Sequence, residues 1–128
     1  MNKTILVTAA ILGGLAVIIG AFGAHGLKKL VDAESLNTFE TGVRYQMYHA
    51  LLLLFVGSTT YLTQSAKTTI FYLIVAGTLL FSGSIYGLAT NELTSFDFKK
   101  IGFVTPVGGA LLIAAWVVMV FKFISLKN

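Results

Sequence analysis

The sequence predicts an all-α fold, an integral membrane four-helix bundle with an amphipathic interfacial segment between the first and second helices. Three observations predict it. The chain of 128 residues is 56% hydrophobic and only 11% charged, where a soluble domain of this length would carry roughly 32 charged side chains. The charges it has leave four stretches free of Asp, Glu, Lys and Arg: Thr4 to Leu27, Tyr45 to Ala66, Thr68 to Asn91 and Ile101 to Phe121. Each holds more than the ~20 apolar residues that a helix needs to cross the hydrocarbon layer. Finally, Leu51-Leu52-Leu53-Leu54-Phe55-Val56 is apolar on every side, so the alternation of a membrane β-barrel strand is absent.

One transmembrane domain, 1–128, follows, with spans expected at about 4–26, 43–64, 69–90 and 102–123. The first span could be mistaken for a signal peptide, but its apolar core exceeds the usual ~7–15 residues and no clean A-x-A site ends it. Tyr61 and Tyr72 bracket the turn around Lys67, and Tyr45, Tyr48 and Tyr86 lie near the opposite ends of their helices. Amphipathic rings favour that water–lipid boundary. Lys122 can snorkel from the end of the last span.

Alternating helices place Lys3, Lys67, Lys122 and Lys127 with both termini, and Lys28, Lys29, Arg44, Lys99 and Lys100 with all five acids. Basic residues alone do not decide the orientation. The acid-free side, which also holds the terminal amine, is read as cytoplasmic, and the location as the cell (plasma or inner) membrane.

Between the first two spans, Ser35 is expected to cap a surface helix whose apolar stripe is Leu36, Phe39 and Val43. Glu40 and Arg44 stand at i, i+4, the spacing of an ion pair, and Gly42 is where the segment could bend into the span. Phe96 and Phe98 in the third connector are expected to dip into the interface. Ala9, Gly13, Ala16, Gly20 and Gly23 form a small face on the first helix. Gly83 and Gly87 make a G-x-x-x-G in the third, and Gly109 follows Thr105 in the fourth. Such faces favour close helix packing in lipid, within one chain or between copies in a homo-oligomer. Offset by 60, Gly42 and Ala50-Leu51-Leu52 match Gly102 and Ala110-Leu111-Leu112; offset by 61, Gly26-Leu27 matches Gly87-Leu88. An internal repeat and chance coincidence of small and apolar residues both explain this.

Polar residues inside spans are costly and default to functional candidates. Here His25, Gln46, His49, Ser82, Ser84, Tyr86 and Thr105 are expected to gather at one side of the bundle as a polar pocket. Pro106 fits the first turn of the fourth helix. Two neutral imidazoles could hold a metal, ligate haem or relay a proton. The competing reading is that each bonds a backbone carbonyl, a serine, the other imidazole or water, as buried polar groups usually do. With no cysteine and no carboxylate inside a span, no metal site is assigned, no cofactor is expected and no catalytic residue is named. A net charge of +4 divided among separate connectors is no nucleic-acid footprint. The expected partner is the lipid bilayer.

Four blocks carry a family resemblance: Gly20-Ala21-Phe22-Gly23-Ala24-His25-Gly26-Leu27, Tyr45-Gln46-Met47-Tyr48-His49-Ala50-Leu51, Phe81-Ser82-Gly83-Ser84-Ile85-Tyr86-Gly87-Leu88 and Val104-Thr105-Pro106-Val107-Gly108-Gly109. Together, and in this order, the chain resembles the YgdD/YwdK-like small membrane proteins, designated domain of unknown function 423, which are similar to the eukaryotic transmembrane protein 256 group. The resemblance implies a four-helix integral membrane protein and transfers no role to any residue. The leading expectation is a non-enzymatic accessory, oligomeric or lipid-interacting membrane component. The alternative is a small transporter or channel component that uses a pocket around His25 and His49.

Overall fold

The computed structural model describes residues 1–127, and these are helical throughout apart from short connectors. Four long helices occupy α1 Asn2–His25, α2 Ala33–Ser58, α3 Gln64–Ala89 and α4 Val104–Ile124. α1 with the residues that follow it to Lys29, α3 and α4 are long and apolar enough to cross a membrane. α2 is different: its charge-free part, Tyr45 to Ser58, covers roughly 21 Å at 1.5 Å per residue. It ends at Ser58, short of the expected 64, and a turn over 59–63 follows.

Consecutive helices pack on each other, α1 on α2, α2 on α3 and α3 on α4. The contacts run antiparallel. Along α1 and α2, Gly57 meets Ile5 and Leu6, Gly13 meets Ala50, Gly20 meets Val43 and Gly23 meets Phe39. α3 and α4 pair Gly77 with Leu112 and Phe81 with Gly108. All four helices feed one apolar core, with Ile5 and Ala9, Leu53 and Val56, Ile70 and Ile74, and Ala115 and Met119 among its members. A smaller cluster of Leu27, Phe39 and Ala89 closes the end beside the first connector.

The segment before the second span is not a separate surface helix. α2 is continuous from Ala33, and Gly42 lies buried inside it, under Tyr86 and Ile85, where a Cβ would come within 2.7 Å of the tyrosine ring. Packing rather than bending explains that glycine. The cap is Asp32, not Ser35: its carboxylate accepts the Ser35 N–H at 2.8 Å, the usual N-cap geometry. Arg44 donates to the Thr41 hydroxyl at 3.0 Å and does not reach Glu40. Phe98 packs on Gly87, and Phe96 meets it edge-on with centroids 5.0 Å apart. The offset matches fall in unlike places: Gly42 is inside α2 whereas Gly102 is in the turn before α4.

The Ser35 amide holds the Asp32 carboxyl below its ordinary value of 3.8. A depressed folded pKa stabilises the folded form above the unfolded value, and that contribution disappears as pH falls through the folded one. Amide exchange at Ser35 is therefore expected to stay slow near neutrality and to gain protection loss, beyond the ordinary pH trend, below about pH 4. Asp32→Asn would shrink that acid-specific change. An identical pH profile in the two proteins would contradict the cap assignment.

At the opposite end, Asn2 ties the starts of α1 and α3. Its Oδ1 accepts from Gln64 Nε2 at 3.2 Å and from Lys67 Nζ at 3.3 Å. Lys67 is thus buried along its stem, with its head at the helix ends.

Candidate functional site

Gln46 sits at the centre of the polar arrangement, 4% exposed. Its amide nitrogen donates to the Leu12 carbonyl of α1 at 2.8 Å, and its amide oxygen accepts from the Tyr86 hydroxyl of α3 at 2.6 Å. One side chain therefore joins three helices. A turn away, the Ser82 hydroxyl donates to the Gly42 carbonyl at 2.8 Å, a second α3–α2 bond. Ser84 gives its proton to the Phe81 carbonyl at 2.9 Å. Its 2.6 Å contact with the Thr105 hydroxyl is then donated by Thr105, because a hydroxyl has one proton to give. That bond links α3 to the start of α4.

His49, also 4% exposed, has both nitrogens engaged. Nδ1 lies 2.7 Å from the Tyr45 carbonyl, which can only accept, so Nδ1 carries the proton. Nε2 is then a bare acceptor, and it receives the Trp116 indole N–H from α4 at 3.2 Å. The ring is held as a single neutral tautomer. Metal or haem ligation at Nε2 would have to displace Trp116. Among the described residues, no group of three or more His, Cys, Asp or Glu side chains is placed to hold a metal ion.

His25 does not join this set. It is exposed at the end of α1, beyond the Gly23–Phe39 contact and so level with the first turns of α2. About 11 residues of helix separate that level from His49, roughly 17 Å. The expected pocket thus resolves into Gln46–Tyr86, Ser82, Ser84–Thr105 and His49, without His25. The buried Thr78 hydroxyl, one turn from Ser82, has no hydrogen-bond partner among the described residues.

Among the glycines singled out from the sequence, Gly23 lies under the Phe39 ring and Gly87 under the Phe98 ring, each too close for a Cβ without movement. Gly20 is tight against Val43, while Gly13 and Gly109 have ordinary contact distances. Gly83 faces open space. The tightest of the glycines is Gly108, whose Cβ would run into the Phe81 backbone. Sequence reasoning missed Gly42, Gly57, Gly77 and Gly108 as packing positions, and it missed Trp116. An indole in the middle of a span, away from its preferred interface, was the available signal for the last.

Beside His49 a cleft of about 320 Å³ opens between α2 and α4 over α3. Tyr45, His49, Phe81, Gly109, Leu112, Ile113 and Trp116 line it. Tyr45 stacks on His49 with centroids 6.4 Å apart and leans on Phe81 at 5.0 Å. A second hollow of about 310 Å³ lies between the first and third connectors, with Asp32, Glu34, Glu92 and Lys99 among its walls.

Comparison with known proteins places this chain in a family. The model of a family described as protein of unknown function DUF423 matches residues 19–109. The chain is 38% identical to the UPF0382 membrane protein YwdK of Bacillus subtilis over 120 residues, 92% of this chain and 94% of that one. It is 36% identical to the UPF0382 inner membrane protein YgdD of Escherichia coli, covering 99% of this chain and 94% of the relative. A Staphylococcus aureus UPF0382 membrane protein is 37% identical, over 94% and 98% of the two chains. No solved structure matches.

Proposed function

Since the chain belongs to the DUF423 family of membrane proteins, we propose that it works as a non-enzymatic, lipid-interacting component that crosses the membrane four times as a helix bundle. The polar groups within the spans serve as clasps. The observation that carries this reading is the double engagement of Gln46, from Leu12 on one side and Tyr86 on the other. His49 is engaged in the same way. Groups committed to neighbouring helices supply cohesion in a medium that offers no hydrophobic drive between helices. Outside the clasps, the surface is apolar: Val17 and Ile18 on α1, Leu79 on α3, and Ile113 and Phe121 on α4 are all exposed. That surface suits lipid contact, and Gly83 on it is the position a homo-oligomer would use.

The four-crossing part turns on α2, whose short apolar portion could cross with the flanking Val43 and the 59–62 turn at the boundaries. A transport pathway around His25 and His49 has less behind it, because the two rings lie at different depths.

Cysteine labelling tests the reading cleanly, since the chain has no native cysteine. Single cysteines at Glu34 and Asp97 should react with an impermeant maleimide from one side of the membrane, and those at Gln64 and Leu126 from the other. Positions 34 and 64 reacting from the same side would mean that α2 does not cross.

A further inference from the structure

The cleft beside His49 is a space that the clasps leave open, and four of its seven lining residues carry rings. We propose that it binds a bilayer-dissolved quinol or quinone, that is, a flat ring bearing hydroxyl or carbonyl groups on an apolar tail. The inference goes beyond the clasp reading but rests on it in one respect: the cleft faces lipid only if α2 and α4 both cross.

Access selects the first property of the ligand. The cleft lies between α2 and α4 with exposed Ile113 and Trp116 at its mouth, along the middle of α4 rather than at its water-facing ends. Whatever enters must already be dissolved in the bilayer. The volume of about 320 Å³ falls within the ~300–1,000 Å³ typical of small-molecule sites.

The walls select the second. Four rings, from Tyr45, His49, Phe81 and Trp116, surround the space, and Gly109 leaves part of the α4 side without a side chain. Its missing Cβ would sit 3.5 Å from the Phe81 ring, in ordinary contact, so the opening is kept by lack of bulk and not by strain. Aromatic faces and edges recognise a planar π-system through offset and edge-on contacts, which a saturated acyl chain cannot reciprocate.

Polarity selects the third. The depth of the cleft holds an acceptor and a donor side by side, His49 Nε2 and Trp116 Nε1, joined at 3.2 Å, the long end of the hydrogen-bond range. A quinol hydroxyl can donate to His49 Nε2 in place of the indole. A quinone carbonyl can accept from Trp116 Nε1. Both exchanges leave His49 Nδ1 bonded to the Tyr45 carbonyl and need no charge on the ring. Binding alone is proposed, with no electron transfer.

Trp116 is the single tryptophan of the chain, so its fluorescence reports the cleft directly. The test places the protein in phosphatidylcholine vesicles and titrates a short-tailed benzoquinone, which quenches on contact. Expected is a saturable quench at low quinone-to-lipid ratio, above the linear quench that partitioning gives. Gly109→Leu, which fills the cleft without touching the hydrogen bonds, should weaken the saturable part at least tenfold. Should that variant misfold, Gly109→Ala, at ordinary contact distance, should weaken it by a smaller factor. Acyl chains brominated along their length supply the other arm: the matching quinol, which lacks the electron-accepting carbonyls that make the quinone a quencher, should relieve their quench of Trp116. A quench linear in quinone and unchanged in the Gly109 variants would overturn the proposal. So would a brominated-lipid quench that the quinol does not relieve (an acyl chain is then the occupant), or a Trp116 signal that follows protein-to-lipid ratio (a second copy then covers the cleft). Labelling that fails at α2 removes the four-crossing reading; correct labelling with a linear quench removes only the quinol site.

Discussion

Gly108→Ala is expected to destabilise the protein by about 3 kcal/mol, the upper part of the usual range for forcing extra volume into a packed interior. Two features place it there. The added methyl meets backbone, not a mobile side chain: the Phe81 nitrogen and Cα and the Leu80 carbonyl carbon lie in its way. Both helices would have to separate, and separation acts on everything along the seam. Leu112 lies over Gly77, where a Cβ would also approach the Gly108 carbonyl at 3.1 Å. The Ser84–Thr105 bond closes the same interface one turn away. Small residues that let backbones approach are a main source of cohesion between helices in lipid, because attraction falls steeply once a gap opens. Alanine's better helix propensity returns up to about 1 kcal/mol, which the estimate includes. Gly83→Ala is the matched control, since nothing lies within 4 Å of its Cβ; it should be neutral or more stable by up to about 1 kcal/mol. Unfolding in mixed micelles, followed by helicity and by Trp116 fluorescence, reads both. Equal stability for the two alanine variants would remove Gly108 from the seam.

Adjacent glycines show why such a position is hard to read from sequence. Successive residues of a helix point about 100° apart, so Gly108 and Gly109 face different directions. Nothing local says which one meets α3. The sequence pointed to Gly109; the packing uses Gly108. The charge-free stretches did reveal the long helices, because a charge in lipid is costly at any register. That signal is blind to a turn made of neutral polar residues, and the second stretch runs unbroken through Thr59-Thr60 and past Thr63. Thr63 caps α3 by accepting the Ala66 N–H at 3.2 Å, a hydroxyl in the N-cap position that marks the true boundary.

The two histidines teach a related lesson. Topology puts both toward the same side, but side is not depth. α2 starts at Ala33 and its first turns carry Glu34, Glu40 and Arg44, so His49 lies deep in the helix while His25 faces the lead-in. The Trp116 partner of His49 lies 67 positions away in sequence, beyond any periodicity. By contrast the Tyr86–Gln46 and Ser84–Thr105 bonds join residues whose polarity stands out in the sequence, since polar atoms in apolar helices must find partners close by.

Gln46→Leu should cost about 2 kcal/mol, Tyr86→Phe about 1 kcal/mol, and the two together little more than Gln46→Leu alone. Hydrogen bonds between membrane helices are worth ~0.6 kcal/mol on average and up to about 2, and Gln46 makes two of them. The bonds are unequal in what they leave behind. The Leu12 carbonyl lies in the interior of α1 and keeps its helical N–H partner when Gln46 goes. The Tyr86 hydroxyl, half-buried against Phe39 with ring centroids 5.1 Å apart, loses its 2.6 Å acceptor and keeps only the neighbouring Ser82 side chain. A half-buried hydroxyl stripped of its best acceptor costs more than the bond was worth, so most of the loss in Gln46→Leu sits on Tyr86. Removing that hydroxyl as well relieves the penalty, which is why the double variant should fall short of the sum by about 1 kcal/mol, within the range for residues in direct contact. Leucine is close to glutamine in length, so little of the change comes from an emptied space. The cycle also separates the clasp from a catalytic or transport role for Gln46: a clasp loses stability in step with helix separation, whereas a residue held for chemistry could be replaced with the fold unharmed. Additive losses for the two substitutions, or a Gln46→Leu variant as stable as the parent, would show that this side chain does not hold α1 and α3 to α2.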